Sequence, residues 1–407
     1  MTKRLAALVV ALALVAMVAT ACTSGTGGTT GGTTAPAETT IKIGIGAPLT
    51  QGATALGKGM VNGGQLAIDT LNASPEAVAA KIKFVGVSGD DQGDPKTGVN
   101  VANQFVSDPA LVGVMGHLNS GVSIPASKIY SGASVVMISP ASTNPALTQQ
   151  GLTNVFRVCT IDSVQGPAGA AAAFDASGLA KKSVFMVDDS TPYGTGLAEE
   201  FAKKFTALGG KVLGTEKTSD KDTDFKALVT KIAATKPELV YYGGIYNAGA
   251  LLAKQLKEGG VTVPFMGGDG LYDNEFIKLA GAANANGSYA TSVGLPLANL
   301  PKGQEFTAAF NKKYPGQEIA AYDAYSYDAL TVIGKAVIEA ATALGGADKV
   351  TTTDGKKAVI ANVAKFNGEG VTGLISFDSK GDTTNKAITL YTITDGKWVA
   401  KTAGVKF

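Results

Sequence analysis

The stretch Val135-Val136-Met137-Ile138-Ser139-Pro140-Ala141-Ser142-Thr143-Asn144-Pro145 passes directly from four apolar residues into hydroxyls, small residues and prolines, and Phe265-Met266-Gly267-Gly268-Asp269-Gly270 repeats the change far downstream with a carboxylate. A short apolar run bounded by such residues is a buried strand, and the end of that strand is where an open α/β sheet presents groups to a ligand. The first end offers hydroxyls and backbone amides to a carboxylate. The second offers a carboxylate to a cation, so the pair suits a zwitterion.

Outward from these two points, short apolar runs alternate with helical spacing. Strands are expected over 41–47, 82–87, 111–115 and 135–138, with Met60, Gly64, Ala67, Ile68 and Leu71 on one helix face, a helix from Pro95 and another after Ser120. The order then restarts: strands over 183–187 and 211–215 flank a helix from Pro192, a helix covers 224–234, and strands follow over 239–242 and 263–266. Strand and helix in strict alternation build a parallel, doubly wound sheet, and the restart implies two such lobes. The segments near Thr160, Thr291 and Phe377 are expected to carry the chain between them, giving a multi-strand hinge. The expected division is 1–21 as a signal, 22–40 as a tether, 41–161 with 293–376 as one lobe, and 162–292 with 377–407 as the other. The halves share a pattern but no residue-level repeat.

With 407 residues and 45% hydrophobic content, the chain is long enough for two cores. At the N-terminus Lys3-Arg4 precede an uncharged apolar run, Leu5 to Val18, and then Ala19-Thr20-Ala21-Cys22. That run falls short of the ~20 residues needed to span a bilayer and suits an export signal, with Cys22 as the lipidated first residue of the mature chain. From Thr23 to Thr40 the residues are almost all Thr, Gly, Ser, Ala and Pro, which suits a flexible tether. Lys and Arg total 35 against 33 Asp and Glu; residues 1–21 hold Lys3 and Arg4 and no acid, so the mature chain is about neutral. Arginine stands only at Arg4 and Arg157, which leaves no guanidinium cluster for phosphates, and nucleic acid is not an expected partner. With Cys22 acylated, Cys159 has no intramolecular thiol to pair with and suits a small buried hydrophobe.

Catalysis has little to stand on. There is no Gly-x-x-x-x-Gly-Lys-Ser/Thr, no Gly-x-Ser-x-Gly and no histidine pair at metal spacing. His117, the one histidine, follows a buried strand and suits a structural hydrogen-bonded role. Asp90-Asp91 and Asp94 suit a turn and a helix cap rather than a calcium loop. No enzyme, metal or cofactor is expected.

The quoted strand ends lie within a longer set of matches: Gly116-His117-Leu118-Asn119-Ser120, Pro125-Ala126-Ser127-Lys128-Ile129-Tyr130, Leu147-Thr148-Gln149, Asp162-Ser163-Val164-Gln165-Gly166-Pro167, Tyr193-Gly194-Thr195-Gly196-Leu197-Ala198, Val240-Tyr241-Tyr242-Gly243-Gly244 and Phe377-Asp378-Ser379-Lys380-Gly381-Asp382. In order, over roughly residues 41 to 400, the chain resembles the periplasmic leucine/isoleucine/valine-binding proteins. The resemblance implies the two-lobed type I periplasmic binding fold, closing on an amino acid and delivering it to the permease of an ATP-driven importer. Branched-chain aliphatic ligands lead, with other amino acids or small amides behind. It implies that Ser120 and Thr143, with backbone groups at Ala141 and Ser142, hold the α-carboxylate, while Asp269, helped by Tyr193, accepts from the α-ammonium. Asp269 stands where the family more often has Glu. Tyr322 falls where the family places an aromatic near the ligand, though helix packing fits it as well; Asp162, near the hinge, suits a helix cap as well as a contact, and Asn119, Tyr246 and Leu56 are further candidates. Leu56 and Ile245 stand where relatives often carry aromatics, and Tyr246 is one place along from the expected tyrosine. Some relatives bridge the positions of Gly93 and Asn119 with a disulfide that this chain lacks.

The expectation is therefore a monomeric lipoprotein of the cell envelope, anchored on the outer face of the cytoplasmic membrane or periplasmic. A ligand-sensing subunit for a membrane receptor or kinase is the alternative, since closure on a ligand serves signalling equally well. An amide hydrolase on the same scaffold lacks a visible nucleophile and base.

Overall fold

The computed structural model describes residues 38–175 and 178–405. The signal segment, Cys22 and the tether up to residue 37 lie outside the described residues. Strands β1 (Thr39–Ala47), β2 (Ile82–Asp90), β3 (Leu111–Gly116), β4 (Val136–Ser139) and β5 (Val155–Arg157) form an all-parallel sheet in the order β2-β1-β3-β4-β5. β3 and β4 are buried along their whole length, as strands covered on both faces by helices must be.

Strands β6 (Ser183–Asp188), β7 (Lys211–Lys217), β8 (Val240–Gly243), β9 (Phe265–Gly267) and β10 (Tyr289–Val293) form the parallel part of a second sheet. β11 (Asn367–Gly370) and β12 (Gly373–Ser376) make a separate hairpin, while β13 (Ile388–Thr394) and β14 (Lys397–Ala403) join the second sheet beside β10. The full order is β14-β13-β10-β9-β8-β6-β7. Both parallel sets therefore share one winding, second-first-third-fourth-fifth, which is the structural form of the repeat that residue matching does not reveal. The second sheet departs from a purely parallel one at β13, which pairs antiparallel with β10, and at β14, which turns back on β13 through a hairpin.

The direction of winding reverses between β1 and β3 in one sheet and between β6 and β8 in the other. Such switch points leave a crevice outside the carboxyl ends of the strands. The helices that start there are Thr54–Asn72 after β1, Ser120–Gly132 after β3, Pro192–Ala207 after β6 and Tyr246–Glu258 after β8. After β10 the chain goes back to the first sheet, where the long helix Asp323–Leu344 packs on β3 through Ile333 against Gly113. It also lies directly on the helix Thr54–Asn72: a Cβ placed on Gly63 would stand 1.9 Å from the Asp323 carbonyl oxygen. Only a residue without a side chain allows that approach, and the approach fixes where Tyr322, just before the helix, can reach.

Candidate functional site

The first rim is built by the loop after β4 and by the start of the helix Ser120–Gly132. Beneath it lies the wholly buried Arg157, the sole arginine among the described residues. Its guanidinium donates to the carbonyls of Ser142 at 2.7 Å and Asn144 at 3.0 Å and to Thr148 Oγ1 at 2.7 Å, and it lies 2.6 Å from Asp382 Oδ1. Drawing two loop carbonyls toward the core in this way holds the loop against the sheet. A second brace comes from His117, whose Nδ1 lies 2.6 Å from Asp91 Oδ2 and whose Nε2 lies 2.9 Å from the Tyr130 hydroxyl. Both of its nitrogens are engaged, and its carbonyl accepts from Ser139 Oγ and Ser142 Oγ.

This bracing changes the expected role of two positions. The Ser139 hydroxyl accepts the Ser142 amide at 2.9 Å and the Ala141 amide at 3.3 Å, and the Ser142 hydroxyl donates to the Leu118 carbonyl at 2.9 Å. The donors that the sequence offered to a carboxylate at Ala141 and Ser142 are thus engaged within the loop. What remains on this rim is Ser120 Oγ, which accepts a long bond from the Asn144 amide at 3.3 Å, and the buried Thr143 hydroxyl, which has no partner among the described residues.

The second rim centres on Asp269, fully buried in the turn after β9. Tyr193 donates to its Oδ1 at 2.8 Å and in turn accepts the Gly270 amide at 2.9 Å. The glycines around the acid are what admit this phenol, since a Cβ on Gly268 would lie 2.7 Å from the Tyr193 hydroxyl. Tyr322, packed with the first sheet, donates to Oδ2 at 2.5 Å, so the two rims meet on one carboxylate. Helix packing and contact with the site are therefore not alternatives for Tyr322. Burial and the charge of Asp269 hold both phenols well above their ordinary range, which keeps them donors.

Asp162 begins the helix Asp162–Phe174 and is also fully buried. It does not cap the helix: both carboxylate oxygens are without hydrogen-bond partners among the described residues. Burial, then the negative charge of Asp269, push its carboxyl up to about 8, while the nearby Thr143 hydroxyl and Arg157 moderate the rise. Burial raises Asp269 as well, against the two phenol hydrogen bonds. Neither acid forms a salt bridge among the described residues, and Arg157 is already turned to Asp382. Two desolvated carboxylates without a cation favour whatever small positive charge enters beside them.

Further bonds join the rims. Asn144 Nδ2 donates to the Pro192 carbonyl at 2.6 Å, the Ala55 amide donates to the Tyr246 hydroxyl at 3.1 Å, and Asn274 Nδ2 donates to Glu318 Oε2 at 2.9 Å. Leu56, next to Ala55, is buried on the helix Thr54–Asn72. Asn119 precedes the helix Ser120–Gly132, its Oδ1 without a partner among the described residues, and a Cβ on Gly93 would sit 3.4 Å from that oxygen, so the two positions that some relatives bridge are neighbours here. A cavity of about 630 Å³ opens beside the cluster, lined by Ala55, Gly59, Asp273, Ala320, Ala321 and Trp398 among others. It touches the chain neighbours of Leu56 and Tyr322. Asn144, Arg157 and Ser139 escape sequence reasoning, because nothing local distinguishes a brace from an ordinary loop residue.

A family described as periplasmic binding protein matches residues 40–397. The chain belongs to the periplasmic binding protein family. Among its relatives, the Leu/Ile/Val-binding protein homolog 2 of Brucella abortus (strain 2308) is 36% identical over 344 residues, covering 84% of this chain and 87% of that protein. Among solved structures, a leucine-binding protein of Thermotoga maritima MSB8 is 27% identical with a TM-score of 0.79, covering 89% of this chain and 98% of that one. A branched-chain amino acid transporter substrate-binding protein of Streptococcus pneumoniae, solved in complex with isoleucine, is 26% identical with a TM-score of 0.79, covering 90% and 99%. For this periplasmic binding protein the type I fold expected from its sequence is the fold it has. Among the described residues, no helix is long and apolar enough to cross a membrane.

Proposed function

We propose that this protein captures an amino acid outside the cytoplasm, a branched-chain aliphatic one foremost, and hands it to the permease of an ATP-driven importer. The observation that carries the reading is the pair of buried carboxylates without a cation, Asp162 and Asp269, with the Thr143 hydroxyl beside Asp162 and Ser120 on the first rim. The acids receive the α-ammonium, and the Thr143 and Ser120 hydroxyls receive the α-carboxylate, an arrangement that rejects a ligand lacking either end. Tyr193 and Tyr322 hold Asp269 in place, and Leu56 and Tyr246 stand toward the side chain.

Two lobes, 41–161 with 293–376 and 162–292 with 377–407, close about the crossings between them. Ligand charge neutralised between the rims favours the closed population, so capture is a hinge motion and not a reaction. Cys22 carries the lipid that tethers the monomer to the outer face of the membrane, and neither metal nor cofactor takes part. The relatives named as Leu/Ile/Val-binding proteins and the isoleucine complex support the choice of ligand.

Titration calorimetry of L-leucine on Asp269→Asn tests the reading. Removing the countercharge from a buried ammonium costs about 3–5 kcal/mol, a loss of two to four orders of magnitude in Kd. Affinity left unchanged in a folded Asp269→Asn protein refutes the assignment.

A further inference from the structure

Asp269 and Asp162 differ in what they already hold. Each oxygen of Asp269 accepts a phenol hydrogen bond, from Tyr193 at 2.8 Å and from Tyr322 at 2.5 Å. Asp162 has no cation and no side-chain hydrogen bond of ordinary length among the described residues: both oxygens are buried, and the neighbouring Thr143 hydroxyl is the one side-chain donor that eases its charge. A buried carboxylate in that condition is stable only when it carries a proton or faces a cation. We propose that Asp162 and Asp269 form one ammonium-accepting pair whose surplus charge is held as a proton on Asp162 in the free protein, and that the ligand displaces this proton. The inference rests on the amino-acid reading above and adds the regulation of that same site.

The charged groups around Asp162 support this assignment. Asp269 faces it from the turn after β9 and Glu200 from the helix Pro192–Ala207, and both oppose its ionisation. Arg157 of β5 is the opposing positive charge, but its guanidinium is bonded to Asp382 and to the Ser142 and Asn144 carbonyls. The phenols of Tyr193, Tyr241 and Tyr322 are neutral neighbours whose own ionisation is pushed far upward. With the Asp162 carboxyl at about 8, the free site is mostly protonated at neutral pH. An entering –NH3+ stabilises the ionised form, the Asp162 proton passes to solvent, and the pair accepts the ammonium N–H groups. Proton and ligand therefore compete, and binding tightens as pH rises until Asp162 ionises by itself.

The experiment is calorimetric titration of L-leucine into the whole mature protein at neutral pH, in phosphate and in Tris, whose ionisation enthalpies differ widely. The expected result is a buffer-dependent heat equal to release of about one proton, with Kd falling about tenfold per pH unit below about pH 7 and levelling above about pH 8. Asp162→Asn is expected to remove the buffer dependence and flatten the pH profile. Wild-type protein that binds leucine with the same heat in both buffers and a pH-independent Kd overturns the proposal while leaving the amino-acid reading intact. Full proton release retained in Asp162→Asn also overturns it. Failure of the wild type to bind leucine or any other standard amino acid at any pH removes both. The wild-type buffer comparison decides the matter even where the variant does not fold.

Discussion

Removing one hydroxyl from each of two tyrosines on the same carboxylate should give two different phenotypes. Tyr193 donates to Asp269 from the same lobe and also accepts the Gly270 amide, so its bonds persist whether the cleft is open or closed. Tyr322 donates to the other oxygen from across the cleft, so its 2.5 Å bond exists only when the rims meet. A hydrogen bond to a charged group contributes about 1.5–3 kcal/mol, and an orphaned buried amide adds a penalty of about 1–3 kcal/mol, with incomplete additivity. Tyr193→Phe should therefore lose about 2–4 kcal/mol of folding stability in the free protein. Tyr322→Phe should cost the free protein less than Tyr193→Phe, because only the rim-joined population makes this bond, and should raise the Kd for leucine by up to about 150-fold as closure weakens. Chemical denaturation of the free proteins and calorimetric titration of each variant separate the two quantities. Equal destabilisation of both free variants, with leucine affinity untouched by Tyr322→Phe, would show that Tyr322 is part of the resting scaffold and would refute the reasoning.

Asn144→Ala removes the 2.6 Å bond to the Pro192 carbonyl, one of the clasps between the rims, without touching either acid. Leucine should dissociate about 5- to 10-fold faster in stopped-flow chase, the cost of about one to one and a half kcal/mol, while loss of the Ala146 amide's 2.9 Å bond to Asn144 Oδ1 lowers thermal stability modestly. Free-protein stability should also fall as pH rises. Asp162 titrates near 8 and Asp328 near 6 when folded, both above their unfolded values, so the folded state binds more protons between the unfolded and folded pKa values. The stability that these protons supply is complete below about pH 4 and lost through about pH 8, giving a declining melting temperature across that window that saturating leucine counteracts at the alkaline end.

Much of the scaffold is legible in the chain because it is written in local patterns. Apolar runs such as Leu111 to Met115 can only be covered strands, and Pro192 or Pro95 announce a helix start in the way proline does at a first turn; the structure begins helices at both. The antiparallel pair β13 and β14 was not expected, because a run such as Ile388–Thr394 looks the same whichever direction its neighbour takes. The rims were legible as chemistry but not as wiring. Asp269 and Tyr193 lie 76 residues apart and Tyr322 another 53 beyond the acid, so no spacing rule joins them. Conversely, the serines of the first rim look equally available in sequence, and only packing assigns Ser139 and Ser142 to bracing the loop while leaving the Thr143 hydroxyl beside Asp162. Arg157 was visible as a scarce residue but not as the anchor of that loop, since its partners are main-chain oxygens, which every residue possesses.

The common winding of the two sheets divides labour as well as space. Each rim grows from the carboxyl ends of its own sheet's strands, and each has its own internal bracing: Arg157 and His117 on one side, the glycine-flanked turn and Tyr193 on the other. Substitutions that recast one rim for a new chemical group need not disturb the footing of the other. A scaffold of this kind can change its cargo one end at a time, keeping a working grip on half of the old molecule while it learns to hold the other half of the new.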